Sequence, residues 1–310
     1  MWASVKPALL IMGPTASGKS ALALALAERL GGEIVNADSM QVYRDFRALT
    51  ARPSLEDEAR APHHLFGYVD AGESYSVGRW LGEALAAIAA IRARDAVPIL
   101  AGGTGLYFKA LTQGLADIPA ADPALREHLR QRYAKEGAPA LYAELARRDP
   151  VSAARLEPND FPRILRALEV LEATGESISL LQAHTIPALA RDAWAGIALA
   201  PLREALYAAI DARFDVMLEQ GALGEVRAVA ARGLDPALPA MKAHGAPALT
   251  AHLRGELALD EAAAIAKRDT RRYAKRQFTW MMGQMGDWTR VEEVELEARV
   301  RAACACLSSA

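Results

Sequence analysis

The octapeptide Gly13-Pro14-Thr15-Ala16-Ser17-Gly18-Lys19-Ser20 restricts the fold of this chain more than any other stretch. It satisfies G-x-x-x-x-G-K-[ST] at every required position. Residues 7–12 before it are apolar and read as a buried strand. Residues 20–30 after it, rich in Ala and Leu, read as a helix of strong formers stopped by Gly31-Gly32. Chemistry accounts for the spelling. Successive backbone N–H groups at a helix N-terminus curl around a diphosphate, Lys19 adds a point charge to its outer phosphate, and the Ser20 hydroxyl is a ligand for Mg²⁺. A bare connecting turn is the competing reading, and the flanks argue against it.

Three further apolar runs, residues 33–37, 97–101 and 195–200, read as short buried strands, each followed by polar residues, glycine or proline. Alternation of such strands with helices predicts an α/β fold, a P-loop-type parallel sheet flanked by helices. Residues 121–182 change character: helix signals and no convincing strand. Asp122-Pro123, Asp149-Pro150 and Asp160-Phe161-Pro162 place a capping carboxylate beside a first-turn proline, and Gly137 and Gly175 are candidate stops. The expected organisation is therefore a core of residues 1–114 and 191–310 interrupted by an all-helical insertion, residues 115–190.

The loop does not name its diphosphate. ATP- and GTP-using loops have an acid at the end of a later strand for Mg²⁺. Here the third run ends in Ala101-Gly102-Gly103-Thr104-Gly105, with no acid, and the carboxylate follows the second run as Asn36-Ala37-Asp38-Ser39. Ligands in such sheets sit at the carboxyl ends of the strands, so Asp38 is expected at the rim of the phosphate site, free to act on something other than the metal. An ATP-dependent small-molecule kinase and a non-catalytic RNA-binding module are the rival classes.

Bulk properties narrow the field. A net charge of -2 on 310 residues announces no nucleic-acid binder, so any RNA contact must be local. Residues 267–276 supply one such surface, with Lys267, Arg268, Arg271, Arg272, Lys275 and Arg276 opposed only by Asp269. The apolar run that opens the chain is too short for a bilayer and lacks a signal-peptide layout, so no membrane segment is expected. The two cysteines, Cys304 and Cys306, form a lone C-x-C that is a poor zinc site and suits the reducing cytoplasm. Adjacent His63 and His64 point different ways and read as packed or capping residues rather than ligands.

In order and spacing, a set of segments resembles the bacterial tRNA dimethylallyltransferases, or tRNA isopentenyltransferases, over nearly the whole chain. The segments are GPTASGKS at 13–20, ADSMQVYR at 37–44, PHHL at 62–65, PILAGGTGLY at 98–107 and PND at 158–160. RALEV at 166–170 with TG at 174–175, RF at 213–214, and TRRYAKRQFTW at 270–280 continue the series. The resemblance implies that dimethylallyl diphosphate occupies the phosphate loop. Its prenyl group would pass to N6 of the adenosine 3′-adjacent to the anticodon, diphosphate leaving with help from Mg²⁺. The insertion would grip the anticodon stem-loop, the target base being flipped from its stack.

Carried onto this sequence, the resemblance makes Asp38, Thr104 and Arg213 the catalytic candidates. An adenine amine is a poor nucleophile, and a carboxylate in reach can orient it and accept its proton, which suits Asp38. Thr104 sits on a glycine turn that permits close approach, and Arg213, with Lys19, suits a leaving diphosphate. Candidate tRNA contacts are Asp38, Ser39, Met40, Gln41, Thr104, Arg126, Pro162, Arg163, Ile164, Leu165, Arg166, Lys242, Lys275, Arg276 and Gln277. For Gln41, a turn-stabilising amide is the alternative. Two departures stand out: Met40 where the family commonly has arginine, and Gly245-Ala246-Pro247 where it has Gly-Tyr and a basic residue. A prenyltransferase acting on free adenine nucleotides is the nearest rival. The expected protein is cytoplasmic and monomeric, with no obligate protein partner.

Overall fold

Residue pattern dictates a sheet buried on both faces. The computed structural model describes residues 6–119 and 122–308; the expected start of the helical stretch, residue 121, lies outside them. Six strands, β1 (Ala8–Met12), β2 (Gly32–Asn36), β3 (His63–His64), β4 (Val97–Gly102), β5 (Trp194–Leu199) and β6 (Thr289–Val291), form one parallel sheet in the order β3-β2-β4-β1-β5-β6. Central β1 is wholly buried between β4 and β5, which is why it is apolar throughout rather than alternating. Leu10 and Met12 pack on one face with Trp80, Phe108 and Trp288. Leu9 and Ile11 pack on the other with Leu22, Leu26 and Val300.

The four strands expected from sequence lie within a residue of their predicted bounds. The two edge strands were not legible, because two or three half-exposed residues make no hydrophobic pattern. His63 and His64 form one of them. His64 Nε2 lies 2.6 Å from Glu33 Oε2, and the described residues contain no group of three metal-ligating side chains.

The described chain divides into two compact units, one of residues up to Thr112 and from Leu189 onward, the other Gln113–Ala188. The second is all helical: Pro123–Glu136, Ala138–Arg148, Pro150–Ala153, Phe161–Thr174 and Ile178–Ala183. Asp122 accepts a hydrogen bond from Ala124 N at 2.9 Å, and Asp149 one from Ser152 N at 3.0 Å, as capping carboxylates should. Asp160 makes no cap bond and pairs instead with Arg163 at 3.4 Å. Leu129, Leu141, Leu145, Ile164, Leu165 and Leu168 fill this unit's core.

Candidate active site

The loop after β1 closes on itself before the helix it opens. Ser17 N donates to Pro14 O at 3.2 Å, and Ala16 and Gly18 hold positive φ of 63° and 87°. Helix Lys19–Leu30 begins with no side-chain cap and no acid in its first turn, leaving its first N–H groups for an anion. Lys19 Nζ donates to Pro14 O at 2.7 Å. Arg213 reaches the loop from helix Arg203–Glu219, whose Leu206, Ile210, Phe214 and Met217 are buried, and its Nη2 donates to Thr15 Oγ1. Burial lowers the Lys19 ammonium to about 8, with Asp38 opposing the shift and Arg213 adding to it. Burial likewise lowers the Arg213 guanidinium, and Asp38 opposes it. Two partly buried cations thus face the cavity without an ion-paired carboxylate among the described residues, the state of a site built for a polyanion.

Asp38 is placed by a buried amide that the sequence did not advertise. Asn36, fully buried at the end of β2, accepts from Asp38 N at 2.8 Å and donates to Asp38 O and Leu65 O at 2.9 and 3.0 Å. The Asn36 carbonyl takes the Trp80 indole N–H at 2.8 Å. Asp38 Oδ1 then accepts from Met40 N at 2.9 Å, while Oδ2 has no hydrogen-bond partner among the described residues. Thr104 N donates to Ala37 O at 3.2 Å, and Thr104 Oγ1 accepts from Ser39 N at 2.9 Å. A Cβ on Gly102 would collide with the Ala37 backbone, so glycine is required for the loops after β2 and β4 to meet.

These residues line two adjoining cavities. A cavity of about 360 Å³ is walled by Thr15 to Ser20, Asp38 and Arg213. A narrower one of about 50 Å³, sharing Thr15, Asp38 and Arg213, is lined by Leu49, Ile210, Phe214 and Met217 with His244 and Tyr273. The His244 and Tyr273 ring centroids lie 4.2 Å apart with their planes tilted by 39°, and burial lowers the His244 imidazole, the Arg276 charge adding to the shift. A cationic cavity therefore adjoins a more apolar one, with a carboxylate among the residues they share.

The remaining sequence candidates divide into exposed and internal residues. Lys242, Lys275 and Arg276 are exposed. Lys275 and Arg276 have no ion-paired carboxylate among the described residues, whereas Lys267, Arg268, Arg271 and Arg272 are tied to Asp215, Asp269 and Asp211, so the basic run is mostly neutralised. Gln277 was expected at the RNA surface and is instead internal, 6% exposed: its Oε1 accepts from Thr15 N at 2.8 Å and its Nε2 donates to Gly103 O at 2.8 Å. Gln41 donates to Thr50 O and Ala51 O at 2.9 and 3.0 Å, the turn-stabilising alternative. Met40 packs partly against apolar residues, as a thioether in an arginine's place would.

Within the helical unit, Pro162 and Arg163 are exposed. Arg126 makes a two-pronged pair with Glu169 at 2.7 and 3.0 Å, and Arg166 reaches the same carboxylate at 3.4 Å. Ile164 and Leu165, also named as RNA contacts, have core side chains, because the 3.6-residue period turns them inward with Leu168.

With this geometry in hand, comparison with known proteins is direct. The profile of the family described as IPP transferase matches residues 41–284, and that of Isopentenyl transferase matches residues 7–62. A tRNA dimethylallyltransferase of Nitrobacter hamburgensis is 58% identical over 293 residues, covering 94% of this chain and 92% of that one. Its counterpart in Maricaulis maris is 54% identical, with 96% of each chain covered. Among solved structures, the tRNA isopentenylpyrophosphate transferase of Bacillus halodurans superposes with a TM-score of 0.70 at 32% identity, covering 98% of this chain and 97% of that one. A eukaryotic dimethylallyltransferase described as acting on tRNA gives 0.80 at 30% identity, covering 94% of this chain and 75% of that one.

Proposed function

The chain belongs to the IPP transferase family, and on that premise we propose the reaction it carries out. It transfers the dimethylallyl group of dimethylallyl diphosphate to N6 of the adenosine 3′-adjacent to the anticodon in tRNA. The observation that carries this reading is the Asp38 carboxylate on the wall shared by a cationic cavity and an apolar one. A hydrolase of nucleoside triphosphates has no need of an apolar chamber beside its terminal phosphate.

The diphosphate lies in the Gly13 to Ser20 loop against the uncapped first N–H groups of helix Lys19–Leu30, with Lys19 and Arg213 facing its oxygens and the five-carbon tail directed to Leu49, Phe214 and Met217. Asp38 Oδ2 accepts the N6 proton as the N6–C1 bond forms. The C1–O bond breaks with its electron pair leaving on the diphosphate, whose growing charge Lys19 and Arg213 stabilise. Thr104, held to Ser39, fixes the acceptor side. Mg²⁺ suits the donor set present. The Ser20 hydroxyl, exposed and without a hydrogen-bond partner among the described residues, is a hard oxygen donor that would hold the ion beside the diphosphate. When bound, the ion offsets charge on the leaving group. Arg126, Arg163, Arg166, Lys242, Lys275 and Arg276 meet phosphates of the anticodon arm, and the substrate places the enzyme in the cytoplasm, acting as a monomer.

The test is mass analysis of an anticodon stem-loop incubated with the protein, Mg²⁺ and dimethylallyl diphosphate. The expected result is one prenyl unit on one adenosine. Asp38→Asn should lower kcat by roughly 10²- to 10⁴-fold, the usual contribution of a general base, with donor KM little changed. Prenylation of free AMP but not of the stem-loop would overturn the substrate, and an unaffected Asp38→Asn would overturn the base.

A further inference from the structure

Behind the phosphate loop lies a third arginine. Arg299, on the C-terminal helix Leu296–Ser308, is 9% exposed, and its Nη1 donates to Ser17 O at 2.9 Å while its Nε donates to Glu293 O at 2.6 Å. Val300 and Ala303 of the same helix are buried with Leu22 and Leu26 of the helix that follows the loop, so the guanidinium is fixed by its own backbone. No carboxylate is ion-paired with it among the described residues. Neither family profile extends to this residue.

The loop's covalent geometry gives that contact a consequence. Ser17 C=O and Gly18 N–H belong to one planar peptide and point in opposite directions. Gly18, at φ 87°, is a residue that tolerates several backbone states, so this peptide is the one in the loop most free to turn over. If it turned, a carbonyl oxygen would face the diphosphate where an N–H belongs. Arg299 holds the carbonyl outward, and a side chain at Gly18 would collide with its Nη1.

We propose that Arg299 is a positioning residue for the diphosphate: it locks the Ser17–Gly18 peptide with the Gly18 N–H facing the anion and adds a buried positive charge behind the loop. This deepens the reading above, resting on a diphosphate occupying the loop. Losing a charge-assisted hydrogen bond of this kind should weaken anion binding by roughly ten- to a hundredfold.

The experiment uses the full chain and inorganic pyrophosphate as probe, measured by calorimetry in the wild type, Arg299→Gln and Arg299→Lys. Arg299→Gln should lose at least tenfold in pyrophosphate affinity and gain about as much in donor KM, while kcat at saturating donor and KM for the stem-loop stay within about twofold. Arg299→Lys, which keeps the charge and one donor but not the planar fork, should fall between. Unchanged pyrophosphate affinity in Arg299→Gln overturns the proposal. So does an equal fall in kcat and in both KM-based parameters with a lowered melting temperature, which marks a merely structural role. A wild type that ignores pyrophosphate would instead bring down the diphosphate reading itself.

Discussion

Cations are handled in opposite ways in the two units of the molecule. Around the phosphate loop, Arg299 is buried and Lys19 and Arg213 are partly buried, and none is ion-paired among the described residues; burial depresses all three. In the helical unit, arginines are tied to carboxylates: Arg126 and Arg166 to Glu169, Arg132 to Glu136 and Glu144, Arg148 to Glu144 and Glu172, Arg163 to Asp160. A buried cation without a partner is a standing penalty that folding tolerates only where a ligand removes it. A paired arginine is first a piece of architecture. The same residue type therefore marks an anion site where it is buried unpaired, and architecture first where it is paired.

The largest effect that distinguishes them should come from Lys19→Met. Losing a preorganised charge on the leaving group should lower kcat/KM by about 10²- to 10³-fold. Because the substitution also removes a buried charge, the ligand-free protein should melt no lower than the wild type. A drop in melting temperature with activity intact would break the contrast.

Next in size is Glu169→Gln. Glu169 is 1% exposed and serves two arginines, so neutralising it should cost the helical unit about 2–3 kcal/mol, read by chemical denaturation or by faster hydrogen exchange in helix Phe161–Thr174. Donor KM should not move. If RNA affinity rises as Arg126 and Arg166 are released, the contrast is sharpened further.

The smallest effect is a pH dependence. The Lys19 ammonium titrates at about 8 when folded, against 10.5 ordinarily. Between those values the unfolded chain holds more protons, so the stability of the ligand-free protein should rise with pH in that window. Donor affinity runs the other way: KM for the diphosphate should increase roughly five- to tenfold from pH 7.5 to 9 as the charge is lost. Arginines keep their charge throughout, so KM for RNA should stay level. A parallel rise in both would place the titrating group elsewhere.

Legibility followed the length scale of each cause. β1 and its loop were readable because a doubly buried strand must be apolar throughout and an anion cradle must be spelled with glycines. Asp38 was readable from its place after β2. What could not be read were side chains acting across hundreds of residues: Gln277 on Thr15, and Arg299 on Ser17. No local pattern separates a buried amide from a surface one, so Gln277 was assigned to RNA along with its basic neighbours. The burial of Ile164 and Leu165 went unread for the converse reason. A motif bracketed by arginines was carried over whole, although helical period alone turns its middle inward.

One amide, that of Gln277, grips the donor loop with its oxygen and the turn bearing Thr104 with its nitrogen. Any swing of that loop toward its anion must drag the Gly103 carbonyl with it. On the reaction proposed above, the span across which the prenyl carbon would meet the purine is gauged by the width of a single planar group. Lengthening or shortening that group should detune the meeting of the two reactants before it unfastens either one.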